Sequence, residues 1–143
     1  MEILKQAYEK RSKKLNKIEQ MKQKRDALEA FEKIKEYAKN GYDSIPEVDK
    51  KYFLKNFGIY DRAKTPGLFM LKLRIPGGQL NSRQAKVIGE ISKEFGRDYM
   101  DLTTRAQIEL RYIRIEDIPE ILERLDNVGI TPFQTGLIIS VGL

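Results

Sequence analysis

The stretch Leu68-Phe-Met-Leu-Lys-Leu-Arg-Ile75 decides the fold, because its side chains alternate along the chain. Its apolar positions are Phe69, Leu71, Leu73 and Ile75. Met70, Lys72 and Arg74 fall on the opposite face, and a period of two is typical of a strand with one buried side. Pro76-Gly-Gly78 interrupts the pattern. We therefore predict a strand that ends at the proline.

A helix is predicted directly after this strand. Asn81-Ser-Arg-Gln84 has the spacing of a capping box, in which the first side chain and the fourth satisfy each other's backbone N–H groups. The apolar residues that follow have a helical period and end before Gly96. Tyr99 to Thr103 and Gln107 to Ile113 are predicted as two further strands.

The last predicted helix begins at Asp117-Ile-Pro-Glu120, which we interpret as a second capping box, and ends near Gly129. Residues from Ile130 onward could add a final strand. The order strand, helix, strand, strand, helix and a last strand predicts an α+β fold, a ferredoxin-like βαββα(β) half domain.

Residues 1–64 are predicted to form a basic helical extension ahead of a domain at 65–136 and a tail at 137–143. No Pro or Gly occurs before Gly41, so a helix is expected up to about Asn40. Its apolar stripe is predicted to include Ile18, Met21, Leu28, Phe31, Ile34, Tyr37 and Ala38. Residues 42–65 are expected to be a connector with a short helix at 52–57, ended by Gly58.

Composition excludes several kinds of chemistry. The 143 residues include no Cys and no His, which removes disulfides, thiolate catalysis, iron–sulfur ligation and the commonest metal ligand. The excess of positive charge lies in residues 1–64, which hold 17 Lys and Arg against 11 Asp and Glu. This basic segment is either a solvated helix face or a docking surface for an acidic partner. No stretch resembles a membrane span or a signal peptide, so a cytoplasmic location is expected.

The polar face of the predicted sheet gathers cations. Alternation places Gln107, Glu109 and Arg111 on the same side as Lys72 and Arg74. Arg105 lies in the adjoining turn, and Glu109 is the obvious opposing charge. Such a surface suits a polyanion, although an ordinary solvated sheet face is the alternative.

Three phrases, in order, carry a resemblance to a known family. They are Phe69-Met-Leu-Lys-Leu-Arg-Ile-Pro-Gly-Gly78, Asp101-Leu-Thr-Thr-Arg105 with Gln107-x-Glu-x-Arg111, and Asp117-Ile-Pro-Glu-Ile-Leu-Glu-Arg-Leu125 leading to Gln134-Thr-Gly136. Together they resemble the N-terminal ferredoxin-like half domain of siroheme/[4Fe-4S] nitrite and sulfite reductases.

The resemblance implies a six-electron reduction of nitrite to ammonia or of sulfite to sulfide, in nitrogen or sulfur assimilation, with a ferredoxin-type acidic electron donor. It implies siroheme and a [4Fe-4S] cluster in the complete enzyme, with neither expected to be held by this chain alone. No metal ligand is predicted here. Residues implied to contact the siroheme rim are Thr103, Thr104, Arg105, Gln107, Arg111, Gln134 and Thr135. Lys72 and Arg74 are the implied catalytic, anion-binding residues.

Lys72 is a departure from the family, which usually has a substrate-binding arginine at this position. An ammonium group binds an anion and can donate a proton, but it lacks the bidentate grip of a guanidinium group. Either Lys72 or Arg74 is therefore the residue expected to meet the substrate. The resemblance leaves nitrite and sulfite equally open.

The end of the chain also departs from the family, which commonly continues after Gln134-Thr-Gly136 with Val-Asp-Asn-Phe. This chain reads Leu137-Ile-Ile-Ser140, and the two readings are one base apart. We expect that a single-nucleotide deletion, either genuine or a sequencing error, truncates a longer reductase after Gly136. This chain would then be a fragment that is inactive alone or completed by another chain.

Two other functions fit the sequence less well. One is a free-standing anion-binding or subunit-bridging domain. The other is a nucleic-acid module, which would display stacking aromatics on its central strands, whereas Phe69 and Tyr112 fall on the apolar register. Binding of nucleic acid or of a membrane is therefore not expected, and the remainder of the reductase is the expected protein partner.

Overall fold

A computed structural model describes residues 2–104 and 107–130. Its helices are α1 (Glu2–Asn40), α2 (Ser82–Phe95) and α3 (Ile118–Asp126). Its strands are β1 (Ile59–Asp61), β2 (Phe69–Arg74), β3 (Met100–Leu102) and β4 (Gln107–Ile113). The order from β2 to α3 is strand, helix, strand, strand, helix, which confirms the predicted α+β fold.

The four strands form one antiparallel sheet in the order β1-β2-β4-β3. Residues 59–61 were predicted to be connector, yet they pair with β2, and Lys72 N–H donates to the Gly58 carbonyl at 2.8 Å. A three-residue strand is too short to show a period, so alternation could not reveal it. The predicted final strand lies outside the described residues. The division at residue 64 stays a prediction.

The core lies between the sheet and the helices. β2 contributes Phe69, Leu71 and Leu73 to it, and β4 contributes Ile108, Leu110 and Ile113. These side chains are almost completely buried and pack with apolar residues of α2 and α3. The burial predicted for these β2 residues is therefore confirmed, while Met70, predicted on the opposite face with Lys72 and Arg74, is also buried.

The ends of α2 and α3 test the two predicted capping boxes. At α2 the box is complete, because Asn81 Oδ1 accepts from Gln84 N–H at 2.8 Å and Asn81 N–H donates to Gln84 Oε1 at 3.1 Å. At α3 the prediction is wrong. Asp117 has helical backbone angles after a 3₁₀ turn at Ile115–Asp117, and its side chain makes no capping bond. Gly129, with φ of 76°, ends the segment that follows α3.

Helix α1 has two parts with different environments. From Ala27 onward it packs on α3 and on the 3₁₀ turn before α3, and the side chains that it buries are Ala27, Ala30, Ile34 and Tyr37. All described side chains between residues 2 and 26 are exposed. The predicted apolar stripe therefore meets the core only at its C-terminal end, and Ile18 and Met21 lie in solvent.

A polar network fastens the last turns of α1 to the segment that follows. Tyr37 donates its hydroxyl to Asp49, and Lys33 Nζ lies 3.0 Å from Asp49 Oδ2. The hydrogen bond from Tyr37 is the main reason that the pKa of Asp49 lies below its usual range, with Lys33 adding to it against the opposing effect of burial. Burial and the same bond raise the pKa of Tyr37.

Candidate functional site

The polar face of the sheet carries the residues that the sequence analysis placed there. Lys72 pairs across the strands with Glu109, and Arg74 pairs with Gln107. Directly paired residues in an antiparallel sheet project from the same face, so this face is continuous over β2 and β4. Asp101 on β3 pairs with Glu109 and extends the face by one strand.

Arg111 is held by two carboxylates. Its Nε lies 2.9 Å from Asp101 Oδ2 and its Nη2 lies 3.3 Å from Glu109 Oε2. The expectation of a single opposing carboxylate is therefore wrong, because Asp101 joins Glu109. Asp101 was missed because it lies in a three-residue edge strand, whose register becomes visible only when β3 is paired with β4.

The two cations of β2 remain available for an anion. Among the described residues, no carboxylate lies within ion-pair distance of Lys72 or Arg74. Lys72 Nζ lies 4.6 Å from the centre of the Tyr60 ring, a cation–π contact that orients the ammonium group without neutralising it. Arg74 is exposed at the end of β2.

The β3–β4 hairpin supplies the polar residues next to Arg74. Thr103 N–H donates to the Gln107 carbonyl at 2.8 Å, and Gln107 N–H donates to Thr103 Oγ1 at 3.2 Å. These bonds fix where the turn leaves the sheet, and Thr104 is exposed in that turn. Of the other predicted site residues, Arg105, Gln134 and Thr135 lie outside the described residues.

A β-bulge changes the sheet beyond Arg111. Two residues, Arg111 and Tyr112, occupy the space on β4 that faces Met70 alone on β2. Tyr112 has φ of 62°, so its side chain leaves the helix-facing register that the sequence analysis assigned to it, and Ile113 enters the core instead. The Tyr112 ring packs against Tyr99, with ring centres 5.9 Å apart.

The described part of the chain contains neither a metal-binding cluster nor a membrane-spanning helix. Within residues 2–104 and 107–130, no group of three or more His, Cys, Asp or Glu side chains is placed to hold a metal ion. No helix among these residues is long and apolar enough to cross a bilayer.

The sheet, its two helices and its cationic polar face define a ferredoxin-like half domain, and comparison with known proteins gives its family. Residues 60–128 match the family model described as the nitrite/sulfite reductase ferredoxin-like half domain. The matched segment, which runs from β1 to just past α3, is therefore a half domain of this family.

Full-length relatives and a solved structure agree with this assignment. Ferredoxin–nitrite reductase of Leptolyngbya laminosa is 38% identical over 124 residues, which are 86% of this chain and 24% of that protein. Sulfite reductase [ferredoxin] of Mycobacterium tuberculosis is 32% identical over 133 residues, covering 81% of this chain and 24% of that protein. The structure of Mycobacterium tuberculosis NirA protein superposes with a TM-score of 0.66 at 32% identity, over 76% of this chain and 22% of that one. The chain thus spans about a quarter of the length of these relatives.

Proposed function

We propose that this chain supplies the siroheme- and anion-binding sheet face of a ferredoxin-linked nitrite or sulfite reductase, which reduces nitrite to ammonia or sulfite to sulfide with six electrons. The observation that carries the proposal is the pair of cations on β2. Lys72 and Arg74 project from the polar face and have no carboxylate partner among the described residues. Their charge is therefore available to an anionic cofactor and to an anionic substrate.

The polar face fits a tetrapyrrole that carries eight carboxylates. Arg74 offers a guanidinium group, and the hairpin beside it offers the side chains of Thr103 and Gln107, so charged and neutral donors lie together. Arg111 contributes less net charge than its sequence position implies, because Asp101 and Glu109 already bind it. When bound, siroheme would supply electrons to the substrate anion.

Lys72 would bind the substrate anion through its ammonium group. Reduction of nitrite or sulfite consumes protons, and Nζ can donate one while it holds the anion. The Tyr60 ring beneath Nζ limits the positions that this flexible side chain samples. The chain has no cysteine, so the ligands of a [4Fe-4S] cluster would come from the part of the reductase that follows this domain.

Titration with uroporphyrin tests the cofactor face, because this soluble porphyrin also carries eight carboxylates. The chain alone is not expected to retain siroheme, but its polar face should bind uroporphyrin weakly, which saturable quenching of the porphyrin fluorescence would show. R74Q should raise the dissociation constant about tenfold, because it removes one charge-assisted contact. K86Q removes an exposed lysine of α2 and serves as the matched control. Equal affinities for R74Q and K86Q would exclude the polar face as the cofactor surface.

A chimaera tests the reductase activity. This chain would replace the matching quarter of the Leptolyngbya laminosa reductase, and reduction of both nitrite and sulfite would be measured with a low-potential donor. We expect a siroheme absorption band and activity, retained by K72R and lost by K72Q. A chimaera that binds siroheme and is equally active with K72Q would remove Lys72 from the reaction.

The basic part of α1 is proposed to dock the acidic electron donor. Lys17, Lys22 and Arg25 are exposed there, so an acidic ferredoxin would be attracted by a field that salt screens. Stopped-flow measurement should show that the rate of association with an acidic ferredoxin falls steeply with ionic strength for the unchanged chain. The rate should fall less steeply for the variant in which Lys17, Lys22 and Arg25 are all replaced by glutamine. A rate independent of salt would contradict this docking site.

A free-standing anion-binding or subunit-bridging domain is the second candidate, favoured by the absence of cysteine from this sequence. It predicts that the chain binds small anions through Lys72 and Arg74 but leaves uroporphyrin free. The porphyrin titration therefore separates the two functions.

A further inference from the structure

A cavity of about 150 Å³ lies at the opposite end of the polar face from Arg74. The loop between β1 and β2 lines it with Arg62, Lys64 and Thr65, and the bulge of β4 lines it with Arg111 and Tyr112. Met70 forms part of its wall, four residues before Arg74 on β2. At about 3.3 Å per residue, the two ends of the face lie about 13 Å apart.

The loop is shaped by its own backbone. Thr65 N–H donates to the Arg62 carbonyl at 3.1 Å, and Leu68 N–H donates to the Thr65 carbonyl at 3.0 Å, which makes two successive turns. The second turn contains Pro66 followed by Gly67 with φ of 81°, the residue types that a type II turn favours. Short-range bonds thus hold the three polar loop residues around the cavity.

The opposite wall is held by the bulge. Positive φ is unusual for a residue as bulky as tyrosine, and here it turns the Tyr112 ring out of the core register to line the cavity. Arg97 stacks on that ring at 4.6 Å, and Tyr99 packs against its edge. Uncommon backbone conformations of this kind, supported by neighbouring side chains, are concentrated at active sites and ligand clamps.

The charge of the cavity is unbalanced. Its described lining includes three cations and no carboxylate. Arg111 is neutralised from outside by Asp101 and Glu109, whereas Arg62 and Lys64 have no acidic partner among the described residues. Arg62 is positioned by a contact of 3.7 Å between Nη1 and the sulfur of Met70. Two cations without a described acidic partner and a threonine therefore line the same small space.

We propose that this cavity is a binding site for a small, doubly charged oxyanion of the phosphate or sulfate type. Arg62 and Lys64 would supply the charge, and Thr65 would donate its hydroxyl to one of the oxygens. The volume is large enough for a tetrahedral oxyanion and much smaller than a tetrapyrrole. The proposal does not depend on the proposed function, since it uses residues at the other end of the sheet face.

The test is a titration of the ¹⁵N-labelled full chain with sodium phosphate, compared with sodium chloride at matched ionic strength. We expect saturable shifts of the backbone amides of Lys64, Thr65 and Tyr112 in phosphate alone. R62Q and K64Q should each raise the dissociation constant about tenfold, since each removes one charge-assisted contact. K86Q, on α2, should leave it unchanged.

Two results would overturn the proposal. One is a set of shifts that are the same in chloride and in phosphate, or the same in K64Q and in the unchanged chain. The other is tighter binding of citrate than of phosphate at these amides, which would make the cavity a receptor for carboxylate groups of a larger ligand. Either result leaves the uroporphyrin titration and the proposed function untouched.

Discussion

The two faces of the sheet follow the same alternation, but they are constrained differently. On the helix side, Leu71, Leu73 and Leu110 are completely buried, so a change in the volume of any of these side chains disturbs the packing against α2 and α3. On the polar side, Lys72 and Arg74 project from the same strand without an acidic partner among the described residues. Packing therefore determines the residues of the buried face, whereas the residues of the polar face can be selected for a ligand with little loss of stability.

The largest expected effect belongs to the buried face. Leu73→Ala removes a completely buried side chain and leaves a cavity, and we expect the free energy of unfolding to fall by about 2–5 kcal/mol. Urea denaturation followed by circular dichroism measures it. Leu102→Ala is the control, because Leu102 is 76% exposed, and it should change stability by less than about 0.5 kcal/mol. Similar losses for the two variants would mean that the core is placed wrongly.

The polar network of Tyr37, Asp49 and Lys33 should give the next largest effect on stability. Asp49→Asn weakens the bonds to Tyr37 and Lys33, and a hydrogen bond to a charged group contributes about 1.5–3 kcal/mol. Because folding lowers the pKa of Asp49, this stability is present above the unfolded pKa of about 3.9 and is lost as the pH falls through the folded pKa.

The difference between Asp49→Asn and the unchanged chain should therefore be large at pH 7 and should shrink as the pH falls below about 3.9, toward the folded pKa of Asp49. Burial raises the pKa values of Asp117 and Asp126, which has the opposite pH dependence, but both proteins share these groups and the difference cancels them. Asp43→Asn, at an exposed position, is the control. A difference that does not vary with pH would contradict the network.

The bulge is expected to give a smaller effect, of about 1 kcal/mol. Tyr112→Gly and Tyr112→Ala remove the same ring, but only glycine adopts a positive φ without strain, so the glycine variant should be more stable than the alanine variant. At Tyr99, where φ is not positive, the order should reverse, because glycine leaves the unfolded chain more freedom. Thermal unfolding of the four variants measures both differences, and the same order at both positions would exclude the left-handed conformation of Tyr112.

The polar face should give the smallest change in stability. Lys72→Gln and Arg74→Gln remove exposed or half-buried charges without breaking an ion pair, so each should alter the free energy of unfolding by less than about 0.5 kcal/mol. The affinity for uroporphyrin should nevertheless fall about tenfold for Arg74→Gln. A large loss of stability would instead mean that these cations hold the sheet together.

Alternation in the sequence predicted both faces correctly as far as Arg111, because a regular strand repeats every two residues. The prediction failed at Tyr112, because a bulge inserts one residue into the strand and the local sequence pattern does not indicate a bulge. The capping box at Asn81 was predicted and the one at Asp117 was wrong, because a 3₁₀ turn already gives Asp117 helical angles. The cavity beside Tyr112 was missed because its residues come from a connector and a bulge.

The short strand β1 has a consequence for any shortened version of this protein. It hydrogen-bonds along β2 between Phe69 and Leu71, so it covers an outer row of backbone donors and acceptors. A version that starts at Thr65 would lose this cover and leave the side of β2 open to a strand from another molecule. Such a fragment would be prone to self-association and aggregation, and the practical starting point therefore lies before Ile59.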